Sequence, residues 1–442
     1  MAGLNILHLS TQDRGGLGGG YDAAGRLHTH MKKAGLNSAM LVYSKQSSDA
    51  CVVGAYNEFT PLERLRWKFG RLGVRLERCW GKYSMYFRTE RGVSLSLSRI
   101  REFLPFKPDV IVAHWVGNFM TVRLMCQLSR EMGVPLYWYM LDMAALTGGC
   151  HYAFDCRGYM QTCGHCPQIG RGAGASDASF LLLQEKLCQF DGVDITAVVP
   201  SLWLKRQAEE STLFAGRPIR HIPLGIDVDV FKPSSVPAAR ALLGLPQGKK
   251  IVFFGAHNFR EERKGISYLL QALRRLYAML RESPALRNRV LILSAGAAPR
   301  PEELGIPFDY KHVGVLRGDV MLTAAYQSAD IFVNASIEDT GPMMLNEAIV
   351  CGTPVVAFDM GVAPDLVHTG KTGYRAVLRN ANDMANGMRE LLEMDDTQCA
   401  AMRQNCRNLG LALCHPDVQV KAFVALFASR PNARTASRET MK

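Results

Sequence analysis

No run of about 18 apolar residues occurs in this chain of 442, so no membrane-spanning helix is expected. A basic leader is also missing. Met1 to Ser10 reads as a short apolar strand, and Asp13 and Arg14 follow at once, which argues against a secretory signal. Short internal repeats and known nucleic-acid motifs are absent, so nucleic-acid binding rests on charge alone. Acidic residues are the scarcer sign: 40 Asp and Glu against 52 Lys and Arg, a net charge of +12. That balance favours an acidic partner without choosing among nucleotide, phospholipid, pyrophosphate-linked lipid and nucleic acid. The 12 cysteines of a chain without a signal read as reduced thiols, and a cytoplasmic location is expected.

What is present reads as two α/β units. Length alone predicts two or three domains at roughly 150 residues each, and 48% hydrophobic residues suffice for packed cores. Asn5–Ser10 is a predicted strand, Thr11–Gly20 a Gly-rich loop, Tyr21–Ala34 a helix and Ser38–Tyr43 the next strand. This βαβ opening predicts a parallel sheet. Further strands are expected at Pro108–His114, Pro135–Met140 and Ile195–Val199. A second series begins near 219, with strands at Lys250–Gly255, Val290–Ser294, Ile331–Asn334 and Thr353–Phe358. Boundaries are placed at 1–215, 216–415, a returning helix at 416–429 and a polar tail at 430–442.

The densest signal runs from Glu338 to Phe358. An acidic pair, a Gly-Pro turn, a helical run bearing Glu347, a break at Cys351–Pro354 and a buried strand follow in order. Asp339 and Glu347 flank a helix N-terminus, whose free N–H groups attract anions. Carboxylates for sugar hydroxyls beside amides for a diphosphate suit a nucleotide-sugar. Exposed acids on an ordinary helix-turn-strand are the plainer alternative. Upstream, Gly15, Gly16, Gly18, Gly19 and Gly20 form a loop that lets backbone approach a ligand. It lacks the G-x-G-x-x-G order, and a flexible loop is the alternative. A charged loop, Gly255 to Gly265, also joins a predicted strand to a helix.

The acidic segment resembles the donor-site signature of retaining glycosyltransferases of the GT-B fold, family 4. In that pattern an acid, seven residues and a glutamate precede Ala-x-x-x-Gly-x-Pro-Val-Val. Asp339 and Glu347 have the spacing; Glu338 is one residue too far. Met140 to Tyr152 is similar to a signature of bacterial polysaccharide glycosyltransferases of the colanic-acid and O-antigen type. Asp142, Met143 and Thr147 to Tyr152 match it, whereas Leu141 stands where the pattern has histidine. The resemblance implies two Rossmann-like domains with parallel sheets facing an interdomain cleft. It implies a hexosyltransferase that takes a UDP- or GDP-sugar, retains configuration and needs no catalytic metal. Asp142, His114 and Asp339 become the catalytic candidates. Gly16, Gly18, Gly19, Arg263, Lys264, Gly341, Met343, Met344 and Glu347 become donor-binding candidates, with Lys264 and Arg263 neutralising the diphosphate. A lipid-linked glycan is the implied acceptor.

Three features stand outside that pattern. Within the Cys-rich loop 147–170, Cys150, Cys156, Cys163 and Cys166 could hold a structural zinc; free or redox-labile thiols are the alternative. Leu62 to Tyr83 reads as a basic, aromatic-flanked helix suited to an anionic membrane surface, or to packing with a solvated face. Asp227-Val-Asp229 and Gly370-Lys371-Thr372 mimic metal and phosphate motifs and are read as structural. A non-catalytic scaffold, to which Leu141 gives some weight, and a nucleotide-sugar hydrolase or epimerase are the competing functions.

Overall fold

The computed structural model describes residues 3–15, 19–65, 68–69, 95–117, 119–170, 172–297 and 301–429. The chain divides into two compact units. One comprises Met1–Pro200, Leu204–Ile222 and the segment from Gln419 onward; the other comprises Ser201–Trp203 and Pro223–Val418. The change of unit after Ile222 lies a few residues beyond the boundary placed at 215.

In the first unit, β1 (Asn5–Gln12), β2 (Asn37–Ser44), β3 (Val52–Gly54), β4 (Val110–Ala113), β5 (Leu136–Tyr139), β6 (Ile195–Val199) and β7 (Ile219–His221) form one sheet. Its order is β3-β2-β1-β4-β5-β6-β7, and every pairing is parallel. The interior strands are continuous apolar runs because helices cover a parallel sheet on both faces. Ile111, Val112, Leu136 and Tyr137 are accordingly buried. The helix Val122–Met132 shows why such segments start and stop where they do. Thr121 accepts the Leu124 amide at 3.1 Å, and Gly133 ends the helix at φ 66°.

The second unit repeats the plan with β8 (Lys250–Asn258), β9 (Val290–Ala297), β10 (Asp309–His312), β11 (Ile331–Asn334), β12 (Val355–Phe358) and β13 (Gly373–Ala376), ordered β10-β9-β8-β11-β12-β13. Its core joins Phe253, Phe254, Ile292, Phe332 and Val356 to Leu269, Leu273 and Leu276 of the helix Ile266–Met279. In both sheets the order reverses beside the first strand, between β1 and β4 and between β8 and β11. Loops at the carboxyl ends of such neighbours diverge and leave a crevice where ligands bind.

The last helix, Pro416–Ala428, leaves the second unit and packs in the first. Phe423 meets the Tyr139 ring edge-on at 5.3 Å, Phe427 lies 4.9 Å from Tyr137, and Gln419 donates to the Tyr139 hydroxyl at 2.9 Å. By length and composition the span Asp396–Ala428 would pass for a membrane helix. It consists of two helices, however, divided at His415–Pro416. Met402, Cys406 and Cys414 of the first helix lie in the core.

Candidate functional site

In the second unit, the loops after β8 and β11 carry the ionic centre. The backbone carbonyl of Arg263 accepts the Ile337 amide at 2.8 Å, which ties the two loops together. Gly265, at φ 63°, makes the close approach possible: a Cβ there would lie 1.9 Å from the Ala335 carbonyl oxygen. Lys264 donates to Asp339 Oδ2 at 2.7 Å and Arg263 Nη1 donates to the same oxygen at 2.9 Å. Glu261 holds the other side of the Arg263 guanidinium at 2.8 Å. Burial pushes the Asp339 carboxyl up. The Lys264 ammonium and Arg263 guanidinium outweigh it and hold the group below the usual carboxylate range. The cations expected to meet a diphosphate and the acid expected to meet sugar hydroxyls thus form one cluster. A buried carboxylate requires a counter-charge.

Asp339 Oδ1 also accepts the Gly341 amide at 3.2 Å, which sets the turn into the helix Met343–Val350. Pro342 caps that helix without a side-chain hydrogen bond, and its carbonyl accepts the Leu345 amide at 3.0 Å; no side chain of the cap competes with a ligand for the amides of Met343 and Met344. Met344 reaches back to β8, where a Cβ on Gly255 would strike its methyl carbon at 2.6 Å. Met343 is half-buried at the same helix start. Glu347, one turn on and buried, accepts the Tyr326 hydroxyl at 2.9 Å.

Of the first-unit candidates, His114 directly follows β4 and Asp142 lies just past β5. Asp142 accepts Trp115 Nε1 at 2.8 Å, the Ala144 amide at 2.8 Å and a hydrogen bond from His151 Nδ1. Burial raises its carboxyl, and the nearby His151 with these donors brings it below the ordinary value. The buried ammonium of Lys186 fastens the following loop by donating to the Ala144 and Thr147 carbonyls at 2.6 and 2.8 Å. Gly148 is needed there, since a Cβ would sit 2.1 Å from the Ser179 carbonyl oxygen. His114 stands inside the unit, 1% exposed, with its Nε2 2.9 Å from His8 Nδ1. Burial, with the charge of His28, lowers its pKa to about 3. The enclosed imidazole stacks on the His8 ring at 5.2 Å and meets the Tyr139 ring edge-on at 5.9 Å. Gly19 opens the helix Gly19–Lys33. Gly16 and Gly18 lie outside the described residues, as does most of 62–83; residues 61–65 are helical.

The four loop cysteines lie close together: Cys150 feels Cys156, Cys163 and Cys166, and Cys163 feels Cys156 and Cys166. Yet among the described residues no three His, Cys, Asp or Glu side chains form a group able to hold a metal ion. The sulfurs take backbone donors instead: Gly158 N–H to Cys156 at 3.5 Å, Gly148 to Cys163, and Gln168 with Ile169 to Cys166. In the two mimic motifs, Asp227 and Thr372 make local turn hydrogen bonds. Asp227 Oδ1 accepts the Asp229 and Val230 amides at 3.1 and 3.3 Å, and Thr372 closes a turn by donating to the Leu366 carbonyl at 2.8 Å.

Sequence reasoning missed Tyr326, Glu261 and the pairing of His151 with Asp142. His151 lay inside the segment Met140 to Tyr152 already singled out, and Trp115 directly follows the candidate His114, whereas Tyr326 sits in an ordinary helix, Asp319–Ser328, with no local mark.

Residues 248–394 match the family model described as Glycosyl transferases group 1. A D-inositol 3-phosphate glycosyltransferase of Saccharomonospora viridis is 30% identical over 182 residues, 38% of this chain and 41% of the relative. Another so named, from an Arthrobacter species, is 31% identical over 316 residues, 67% of this chain and 65% of the relative. The chain thus spans less than half the length of the first curated relatives it matches. Among solved structures, sucrose-phosphate synthase of Thermosynechococcus elongatus superimposes with a TM-score of 0.64 at 18% identity, covering 97% of this chain and all of that one. Anabaena HepE in complex with UDP and glucose gives 0.62 at 15% identity, covering 97% and 100%. The chain has the GT-B fold, and residues 248–394 form a group 1 glycosyl transferase domain within it.

Proposed function

We propose that this protein is a retaining glycosyltransferase that moves a hexose from a UDP- or GDP-sugar to an acceptor. One observation carries the reading. Two cations and a carboxylate converge at the carboxyl ends of β8 and β11, where the sheet order reverses, beside an uncapped helix start. A diphosphate entering there would compete with Asp339 for Lys264 and Arg263, and the amides of Met343 and Met344 add to its hold. Freed by that exchange, Asp339 would take sugar hydroxyls, and Glu347 the ribose diol. The diphosphate gains charge as the glycosidic bond breaks, so the same cations stabilise the transition state. HepE has been crystallised with UDP and with UDP-glucose, which supports a uridine donor.

A lipid-linked glycan of surface-polysaccharide assembly, met by a chain peripheral on the cytoplasmic membrane, is the acceptor we favour on the matches from Asp142 to Tyr152. A small phosphorylated polyol is the second reading, favoured by the relatives named D-inositol 3-phosphate glycosyltransferase. Radiolabel from the donor sugar should enter the organic phase in the first case and stay aqueous in the second.

The donor site is tested by thermal shift with UDP, GDP and their sugars, because ligand binding to the native state raises its melting temperature. One nucleotide should stabilise the protein, and Lys264→Ala or Glu347→Ala should each abolish that shift. Unchanged shifts in both variants would reject the site. Binding without turnover would mark the protein as a scaffold, the role that Leu141 favours.

A further inference from the structure

We propose that Tyr326 is the residue that positions Glu347 for the donor; this rests on reading Glu347 as the ribose ligand. The phenol donates to Glu347 Oε2 at 2.9 Å, and both residues are buried. Its ring is wedged among aromatics, edge-on to Phe253 at 5.5 Å and to Phe332 at 5.4 Å, and tilted against Phe231 at 6.4 Å. Phe253 belongs to β8 and Phe332 to β11, the neighbours at the order reversal. The hydroxyl is therefore fixed to the same two strands that carry the ionic loops.

The main chain of Tyr326 makes a second hold. Its carbonyl accepts the Thr353 hydroxyl at 2.9 Å. One residue thus pins both Glu347 and the turn that ends its helix, and so fixes the rotation of that helix about its axis. A glutamate has three side-chain torsions, and ordering them on binding opposes association. The phenol meets that cost before the nucleotide arrives. Tyr326 touches no reacting atom and is a positioning residue.

The test is Tyr326→Phe in the full chain, which removes one oxygen and keeps the ring in its box. Titration calorimetry with UDP and GDP should show the cognate nucleotide bound about tenfold more weakly, the size of one hydrogen bond to a charged group. The donor KM should rise by a similar factor with kcat little changed. In a Glu347→Gln background, Tyr326→Phe should cost nothing further, because the pair acts as a unit. Unchanged affinity in Tyr326→Phe, or an equal loss in the Glu347→Gln background, overturns the positioning role while leaving the ribose reading intact. If Glu347→Gln itself binds nucleotide normally, the ribose reading and the positioning role fall together.

Discussion

Side chains in the second unit are held by close backbone approaches as much as by charge. Gly265 is the clearest case, because φ 63° and the nearby Ala335 carbonyl both exclude a Cβ. Gly265→Ala is expected to cost about 2 kcal/mol or more from strain and displacement, read as a lower urea midpoint. It should also weaken nucleotide binding, since Lys264 immediately precedes it. A midpoint within error of wild type would show that the two loops are less tightly joined than the distances imply. The roles of Asp339 and Lys264 were half legible at this scale. The family resemblance picked out both residues, but their mutual ion pair joins positions 75 apart in sequence. No local pattern encodes that.

Among the elements, legibility followed burial. The interior strands of both sheets announce themselves as apolar runs, Val110–Ala113 and Val355–Phe358 among them, because both faces are covered. The strands that went unread are β3, β7, β10 and β13, the outer member at each side of each sheet. Arg220 in β7 and Asp309 in β10 face solvent, and four or fewer residues with mixed exposure leave no periodicity to detect. The final helix illustrates the converse. Its apolar face was visible, but Tyr137 and Tyr139 as its partners were not. Phe423→Ala should cost about 3–5 kcal/mol, the usual loss for a buried phenylalanine, measured by denaturant unfolding. A loss below about 1 kcal/mol would mean that the helix is dispensable to the first unit.

The molecule as a whole carries a buried histidine group in its first unit: His8, His28 and His114. Burial is the main cause in each. It pushes His8 well down, His28 to about 4 against the opposing pull of Asp49, and His114 to about 3 with help from His28. A histidine with a folded pKa below the unfolded value of about 6.5 takes up its proton more readily when unfolded. Its contribution to stability is therefore complete above about pH 6.5 and is lost as the pH falls toward 4 and then 3. The urea midpoint should decline through that window, and His28→Gln should flatten the upper part of the decline. A midpoint constant from pH 7 to pH 4.5 would contradict the enclosure of these rings.

The amino-acid order by itself determined the alternation of strand and helix, the doubling of the α/β plan and the segments that carry the chemistry. Each of these is written in local periodicity, turn residues and spacing. Tertiary structure alone decided which candidates meet. It drew Lys264 and Arg263 onto Asp339, set Tyr326 against Glu347 and enclosed His114 within its unit. These contacts depend on where the strand order reverses, and that reversal is a global property of the sheet that no window along the chain contains.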